Sequence, residues 1–408
     1  MPFFLKFKST ILCLSICFLA CGQKQKSSTN ESNSISTEVS KKDILVGANQ
    51  TQEYLPIITN KKIGIVANQT SVIFKKEGYT HLVDSLLSLQ IQIKKVFSPE
   101  HGFRGKVDAG EKVKDGIDTQ TGLQITSLYG KNRKPTQNQL KGLDLIIFDI
   151  QDVGVRFYTY IATLQYVMES CAEAEIPIVV LDRPNPNGHY VDGPTMRVEH
   201  TNFLGLQTIP LVYGMTIGEY ATMINEENWL ANETKAELKV ITLANYSHES
   251  DYSIPIRPSP NLPNDQSINL YPSLGLFEGT NINAGRGTEF QFQRYGASFL
   301  DSTAFRFTFT PQPNFGSKYP KEKGLNCFGE DLSAYQKMDS ISLQWIIKAY
   351  NNCNEKDKFF NTSGFTKHAG TEKLQAQIEA GLSEMEIKAS WQTDLERFKL
   401  IRSKYLIY

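Results

Sequence analysis

The sequence has no excess of either charge, few cysteines and no apolar run long enough to cross a membrane. Its 43 basic and 43 acidic residues cancel, so nothing electrostatic points to nucleic acid or an anionic surface as partner. Of the six cysteines, Cys13, Cys17 and Cys21 lie near the N-terminus. The others, Cys171, Cys327 and Cys353, are odd in number and lack zinc-site spacing, which argues against a disulfide framework or a structural zinc. A Cys327–Cys353 bridge is the one pairing left open. The first apolar strand runs into NQTSVIF rather than a glycine-rich turn, no GxxxxGK[ST] occurs, and Gly285-Arg286-Gly287 is a lone GxG. No nucleotide or nicotinamide cofactor is therefore expected. HExxH and G-x-S-x-G are also missing, which removes the best-marked metalloprotease and serine esterase sites.

What is present is an ordinary globular composition in a chain of 408 residues, longer than one core usually fills, so two domains are expected. Lys6 and Lys8 precede a short apolar run, Ile11 to Ala20, and Phe18-Leu19-Ala20-Cys21 resembles a bacterial lipobox. Residues 1–20 read as a lipoprotein signal peptide, with Cys21 as the lipid anchor and a membrane reached through that anchor alone. Residues 21–42 are polar, serine-rich and free of aromatics, the composition of a disordered tether. Such a protein is expected in the periplasm. The remainder divides into residues 43–255 and residues 256–408.

In the first part, continuous apolar runs alternate with helical spacing. Strands are expected over Lys62–Asn68, the segment entering Glu100, Leu143–Ile150, Ile176–Leu181 and Leu238–Leu243, with a further one over Ile209–Tyr213. Helices are expected over His81–Leu89, Tyr160–Glu173 and Thr216–Leu230. This pattern predicts an α/β fold with a mostly parallel, Rossmann-like sheet covered on both faces. Beyond it, Ile254–Gly296 is dense in Pro, Asn and Gly yet rich in aromatics, and reads as the second wall of a cleft. A smaller α+β domain follows, with a strand over Phe305–Phe309 and helices over Ser340–Tyr350, Thr371–Ala380 and Trp391–Lys404.

Ligands of parallel α/β sheets bind outside the carboxyl ends of the strands. Here those ends carry Asn68, then Glu100-His101, then Asp149-Gln151-Asp152, then Asp182-Arg183-Asn185. The stretch KVFSPEHGFRGKVDAGE, Lys95–Glu111, sets Glu100, His101 and Arg104 among three glycines, which permit tight turns and close approach to a ligand. A glutamate in a partly desolvated loop suits proton donation to a glycosidic oxygen, and His101 can orient it or contact substrate. The second group is Glu278, Glu289 or Asp152, or the substrate's own 2-acetamido group. Arg104, Arg156, Arg183, Arg286 and Arg294 are candidate anchors for an acidic substrate group. Two other classes stay open: metal-assisted hydrolysis through Glu100, His101, Asp149, Asp152 and Asp182, and a glycan-binding protein without turnover.

The segments FSPEHGFRG, DIQDVGVRFYTY, LDRPNPNG, PSPNLPN, LYPSLGLFEGTNINAGRGTE and KYLIY, in this order from Leu45 to Tyr408, together resemble the bacterial exo-β-N-acetylmuramidase family. The resemblance implies a Rossmann-like N-terminal domain, a smaller C-terminal domain and an active-site cleft between them. It implies release of β-1,4-linked N-acetylmuramic acid from the non-reducing ends of peptidoglycan fragments. Glu100 corresponds to the catalytic glutamate of the family's EHG motif. Tyr158 and Asn283 fall inside the matching segments and join the substrate-contact candidates.

Overall fold

The computed structural model describes residues 43–105 and 115–408. The signal peptide, Cys21, the tether, and Gly110 and Glu111 of the glycine-rich stretch lie outside the described residues. In chain order come α1 (Thr51–Ile58), β1 (Lys62–Ala67), the hairpin β2 (Val72–Phe74) and β3 (Tyr79–His81), α2 (Leu82–Ser88), β4 (Gln92–Ser98), β5 (Gly116–Ile117), β6 (Gln124–Ser127), α3 (Gln137–Leu140), β7 (Leu145–Asp149), α4 (Tyr160–Glu173), β8 (Ile178–Leu181), α5 (Ile217–Glu226) and β9 (Leu238–Ile241). Among the described residues these strands build a seven-stranded sheet, ordered β5-β6-β4-β1-β7-β8-β9, parallel throughout except for β5. Without β5 the order is that of a doubly wound sheet, with its switch point between β1 and β7.

The apolar runs are continuous because both faces are covered. Ile63 and Ile65 of β1, Leu145 and Ile147 of β7, and Val179 and Leu181 of β8 join Tyr54, Ile58, Leu82 and Leu86 in one cluster. Their alternates Val66, Ile146, Phe148, Ile178 and Val180 join Ile161, Leu164, Met168 and Tyr220 in the other. A period of two thus divides one run between two cores.

The second half holds α6 (Asp265–Leu274), β10 (Arg294–Ala297), β11 (Phe307–Phe309), β12 (Cys327–Asp331), α7 (Gln344–Asn351), α8 (Thr362–Ala369), α9 (Lys373–Glu379), α10 (Glu384–Ala389) and α11 (Gln392–Arg402). Its strands form a small antiparallel sheet ordered β10-β12-β11. The apolar cluster that starts at Val66 and Phe97 continues through Leu274, Phe292, Trp345 and Phe398, so both halves share one core.

Two expectations are corrected, and the cysteine pairing left open is answered. Ile209–Tyr213 is buried but forms only isolated bridges, Val212 with Val155 and with Asp192, because Pro210 lacks the donor a ladder requires. The Pro-rich stretch contains a helix, α6, capped by Asn264, whose side chain accepts from the Ser267 amide. Cys327 and Cys353 are free thiols, as is Cys171.

Candidate active site

β4 ends at Ser98, held to the next strand by the Leu128 amide at 2.8 Å, and the chain turns at once through Pro99 to Gly102. His101, Gly102 and Gly105 all have positive φ, at 71°, 79° and 68°. For the glycines this costs little, whereas a histidine in the left-handed region is held there by its surroundings, as is frequent at functional sites. A Cβ at Gly105 would also meet the Gln69 side chain at 2.9 Å. The turn delivers Glu100 and His101 to a cavity of about 390 Å³ at the carboxyl ends of β4, β6 and β7.

The first half contributes Tyr129 after β6, Arg133, Phe157, Tyr158 and Thr159 ahead of α4, and the turn Asn202–Leu204. Ser259 lies between β9 and the second half, and Tyr271, Glu278, Arg286, Lys367 and His368 come from the second half itself. Thr159 Oγ1 donates to Glu100 Oε2 at 3.3 Å, and Tyr129 is hydrogen-bonded to the same carboxylate. Tyr160 contacts the Glu100 carbonyl at 3.5 Å and receives a bond from Asn68 Nδ2 at 2.9 Å. A fixed carboxylate therefore stands beyond the carboxyl end of β4, one strand from the switch point of the sheet, among hydroxyls and aromatic faces.

Of the other candidate carboxylates, Glu278 faces the cavity. Burial would raise its pKa, but Arg286 at 3.0 Å and nearby Lys321 pull it down to about 2. Held low by the Arg286 guanidinium, Glu278 is ionised near neutral pH and poorly suited to donate a proton. Glu289 is exposed and off the cavity wall. Asp152 is buried behind the wall: Tyr213 and the Gly154 amide bind Oδ2, Oδ1 has no partner among the described residues, and burial pushes its pKa up to about 6. Neither Glu289 nor Asp152 meets Glu100 in the cavity.

Only one of the five candidate arginines lines it. Arg286 does so as the partner of Glu278, on a turn closed by Asn283, whose Nδ2 donates to the Arg286 and Lys321 carbonyls. Arg104 is held by Asp84 at 3.0 Å and Asp118 at 2.9 Å. Arg183 makes a buried two-point bond to Asp149 at 2.6 and 2.9 Å. Arg294 lies over Phe290 at 3.9 Å, beside Asp331. Arg156 is fully buried, and among the described residues its acceptors are the carbonyls of Pro194, Ile209, His368 and Ala369. These four bind protein instead of facing a ligand, because each found acceptors within the fold.

Gln151 and Asn185 are buried in backbone contacts, Gln151 to the Asp152 and Pro184 carbonyls and Asn185 to that of Met215. Tyr158 lines the cavity while its hydroxyl donates to the Pro258 carbonyl at 2.7 Å. Asp182 accepts from Thr216, Gly218 and Tyr408. With Asp149 bound to Arg183, the five groups considered as metal ligands are not gathered at one point, and no cluster of three metal-ligating side chains occurs among the described residues. Tyr129, Arg133, Asn202, Phe203, Lys367 and His368 were missed, since irregular sequence carries the first four and the weakly patterned α8 the other two.

Family models for the exo-β-N-acetylmuramidase NamZ match both halves, the N-terminal model over residues 63–266 and the C-terminal model over residues 269–408. The peptidoglycan β-N-acetylmuramidase NamZ of Bacillus subtilis strain 168 is 38% identical over 375 residues, covering 87% of this chain and 89% of the relative. A crystal structure of a DUF1343 family protein from Bacteroides fragilis NCTC 9343 superposes with a TM-score of 0.82 at 43% identity, covering 90% of this chain and 99% of the other. A second DUF1343 structure from the same organism gives 0.76 at 25% identity with the same coverage. Matched in both halves and along most of its length, the chain belongs to the NamZ exo-β-N-acetylmuramidase family.

Proposed function

We propose that this protein is an exo-acting glycosidase that releases β-1,4-linked N-acetylmuramic acid from the non-reducing ends of peptidoglycan fragments, with Glu100 as general acid and base. The observation that carries this reading is the position of Glu100, on a cavity wall beyond the carboxyl end of β4, in a chain similar to a peptidoglycan β-N-acetylmuramidase. Thr159 and Tyr129 orient its carboxyl toward the leaving oxygen, and its proton passes to that oxygen as the bond breaks. Tyr158, Tyr271 and Phe157 supply apolar faces that exclude water from the sugar. Glu278, ionised and bonded to Arg286, is both a weak base and a hindered nucleophile. That favours the substrate's 2-acetamido group as the internal nucleophile.

The test uses two disaccharides, N-acetylmuramyl-β-1,4-N-acetylglucosamine and its reverse, with the chain from Lys24 and its Glu100→Gln form, each with and without chelator. Cleavage of the muramyl-terminated sugar alone is expected, unaffected by chelator and reduced roughly a hundredfold or more by the substitution. Affinity without cleavage would replace the enzyme by a glycan-binding protein. Inhibition by chelator would favour metal-assisted hydrolysis. The reading extends to a lipid-anchored periplasmic protein: Cys21→Ser should move the full chain from the membrane to the soluble fraction, and unchanged membrane association would refute the anchor.

A further inference from the structure

Among the described residues, Arg133, Arg286 and Lys367 face the cavity as cations, and they are not equivalent. Arg286 is neutralised by Glu278. Lys367 and Arg133 are both exposed, but the ammonium of Lys367 is a point charge without directional preference. Arg133 has no carboxylate partner among the described residues, although the adjacent Lys134 holds two, Glu169 at 3.1 Å and Glu173 at 2.7 Å. Its guanidinium sits over the Phe203 ring at 4.1 Å, and Phe203 stacks on Tyr166 with 7° between the planes. Such a platform steadies one face of the guanidinium and leaves N–H edges for an in-plane acceptor.

The platform is itself fixed. Asn202 and Gly205 exchange backbone bonds of 3.0 and 2.8 Å, and a Cβ at Gly205 would meet the buried Arg156 side chain at 2.9 Å. Tyr129 spans the gap to the catalytic group: its ring is 6.5 Å from Phe203, it bonds Glu100, and it feels the Arg133 charge. Arg133 therefore stands one side chain from the proton donor.

We propose that Arg133 is a specificity-determining residue that binds the lactyl carboxylate of the muramic acid bound beside Glu100, through a two-point guanidinium–carboxylate contact. The proposal rests on the muramidase reading. The lactyl ether carries the only carboxylate of that sugar, and N-acetylglucosamine offers Arg133 nothing comparable. Selectivity would then come from one charged contact in a cavity whose other arginine is already paired.

The test is equilibrium binding of N-acetylmuramic acid and its lactyl amide to the wild type, Arg133→Gln and Arg133→Lys near pH 7. Turnover of the muramyl disaccharide and thermal midpoints are measured in parallel. The wild type should prefer the acid to the amide by roughly tenfold or more, the Gln form should bind the acid roughly ten- to a hundredfold more weakly with the preference gone, and the Lys form should fall between. A folded Gln form that keeps the preference, or a wild type that shows none, overturns the proposal. Turnover with binding indifferent to Arg133 refutes this assignment alone. Arg133-dependent, acid-selective binding without turnover supports it and refutes the glycosidase reading.

Discussion

Glu278 reaches the cavity already paired, and its state shapes two expectations. If a carboxylate bonded to Arg286 is neither proton donor nor nucleophile, the reaction passes through the substrate's acetamido group. A thiazoline analogue of N-acetylmuramic acid should then inhibit competitively and bind more tightly than the free sugar. A thiazoline that binds no better would return the second catalytic role to Glu278. Asp152 behaves in the opposite sense to Glu278. Burial raises its carboxyl from 3.8 to about 6, so the stability contributed by the protonated form is fully present below about pH 4 and lost as pH rises through about 6. Asp152→Asn, neutral at every pH, should remove about 2–3 kcal/mol of that slope. Chemical unfolding at pH 4 and pH 7 measures it, and an unchanged slope would show that Asp152 is ionised throughout. Residue type was legible in the sequence, but the state of each residue was not. Arg104, Arg156, Arg183, Arg286 and Arg294 look alike in one dimension, while their acceptors lie as far away as Ala369 does from Arg156.

At the level of elements, the turn after β4 was readable because its punctuation is local: an apolar run, then Ser-Pro, then glycines that permit positive φ. The helix α6 was not, because Pro272 inside it and the prolines before it signal irregular chain, and only the Asn264 cap announces it. The opposite wall depends on contacts across the sequence. Arg156 ties the Pro194 and Ile209 carbonyls of one half to those of His368 and Ala369 at the end of α8 in the other. Arg156→Lys keeps the charge but has too few donors for this arrangement, and it should cost about 2–4 kcal/mol. KM should rise as well, since His368 and the Asn202–Gly205 turn both lean on this side chain. Urea unfolding and steady-state kinetics check both, and wild-type stability in the Lys form would contradict this bracing role.

For the whole molecule, one core joins the halves, and the C-terminus returns to the first sheet. The Tyr408 hydroxyl donates to Asp182 at 2.7 Å and accepts from the Leu243 amide at 2.8 Å, while the Ile407 amide reaches Glu219. Tyr408→Phe leaves both buried partners short and should cost about 1–3 kcal/mol, with kcat little changed because the tail does not line the cavity. Long apolar strands made the Rossmann-like half visible in the sequence, since two-sided burial leaves a continuous signal. Strands such as β10 (RYGA) and β12 (CFGED), no shorter than β8 and β7, left none, because charged residues and glycine interrupt their apolar pattern and their pairing is set by tertiary contacts. The central claim is that Glu100 donates the proton to the departing sugar. It is tested most directly by the loss of kcat/KM in Glu100→Gln on two substrates, the muramyl disaccharide and the 4-nitrophenyl muraminide, whose phenolate leaves with little help. The expected result is a loss of roughly a hundredfold or more on the disaccharide and tenfold or less on the nitrophenyl glycoside. Equal losses on both, or none on the disaccharide, would contradict it.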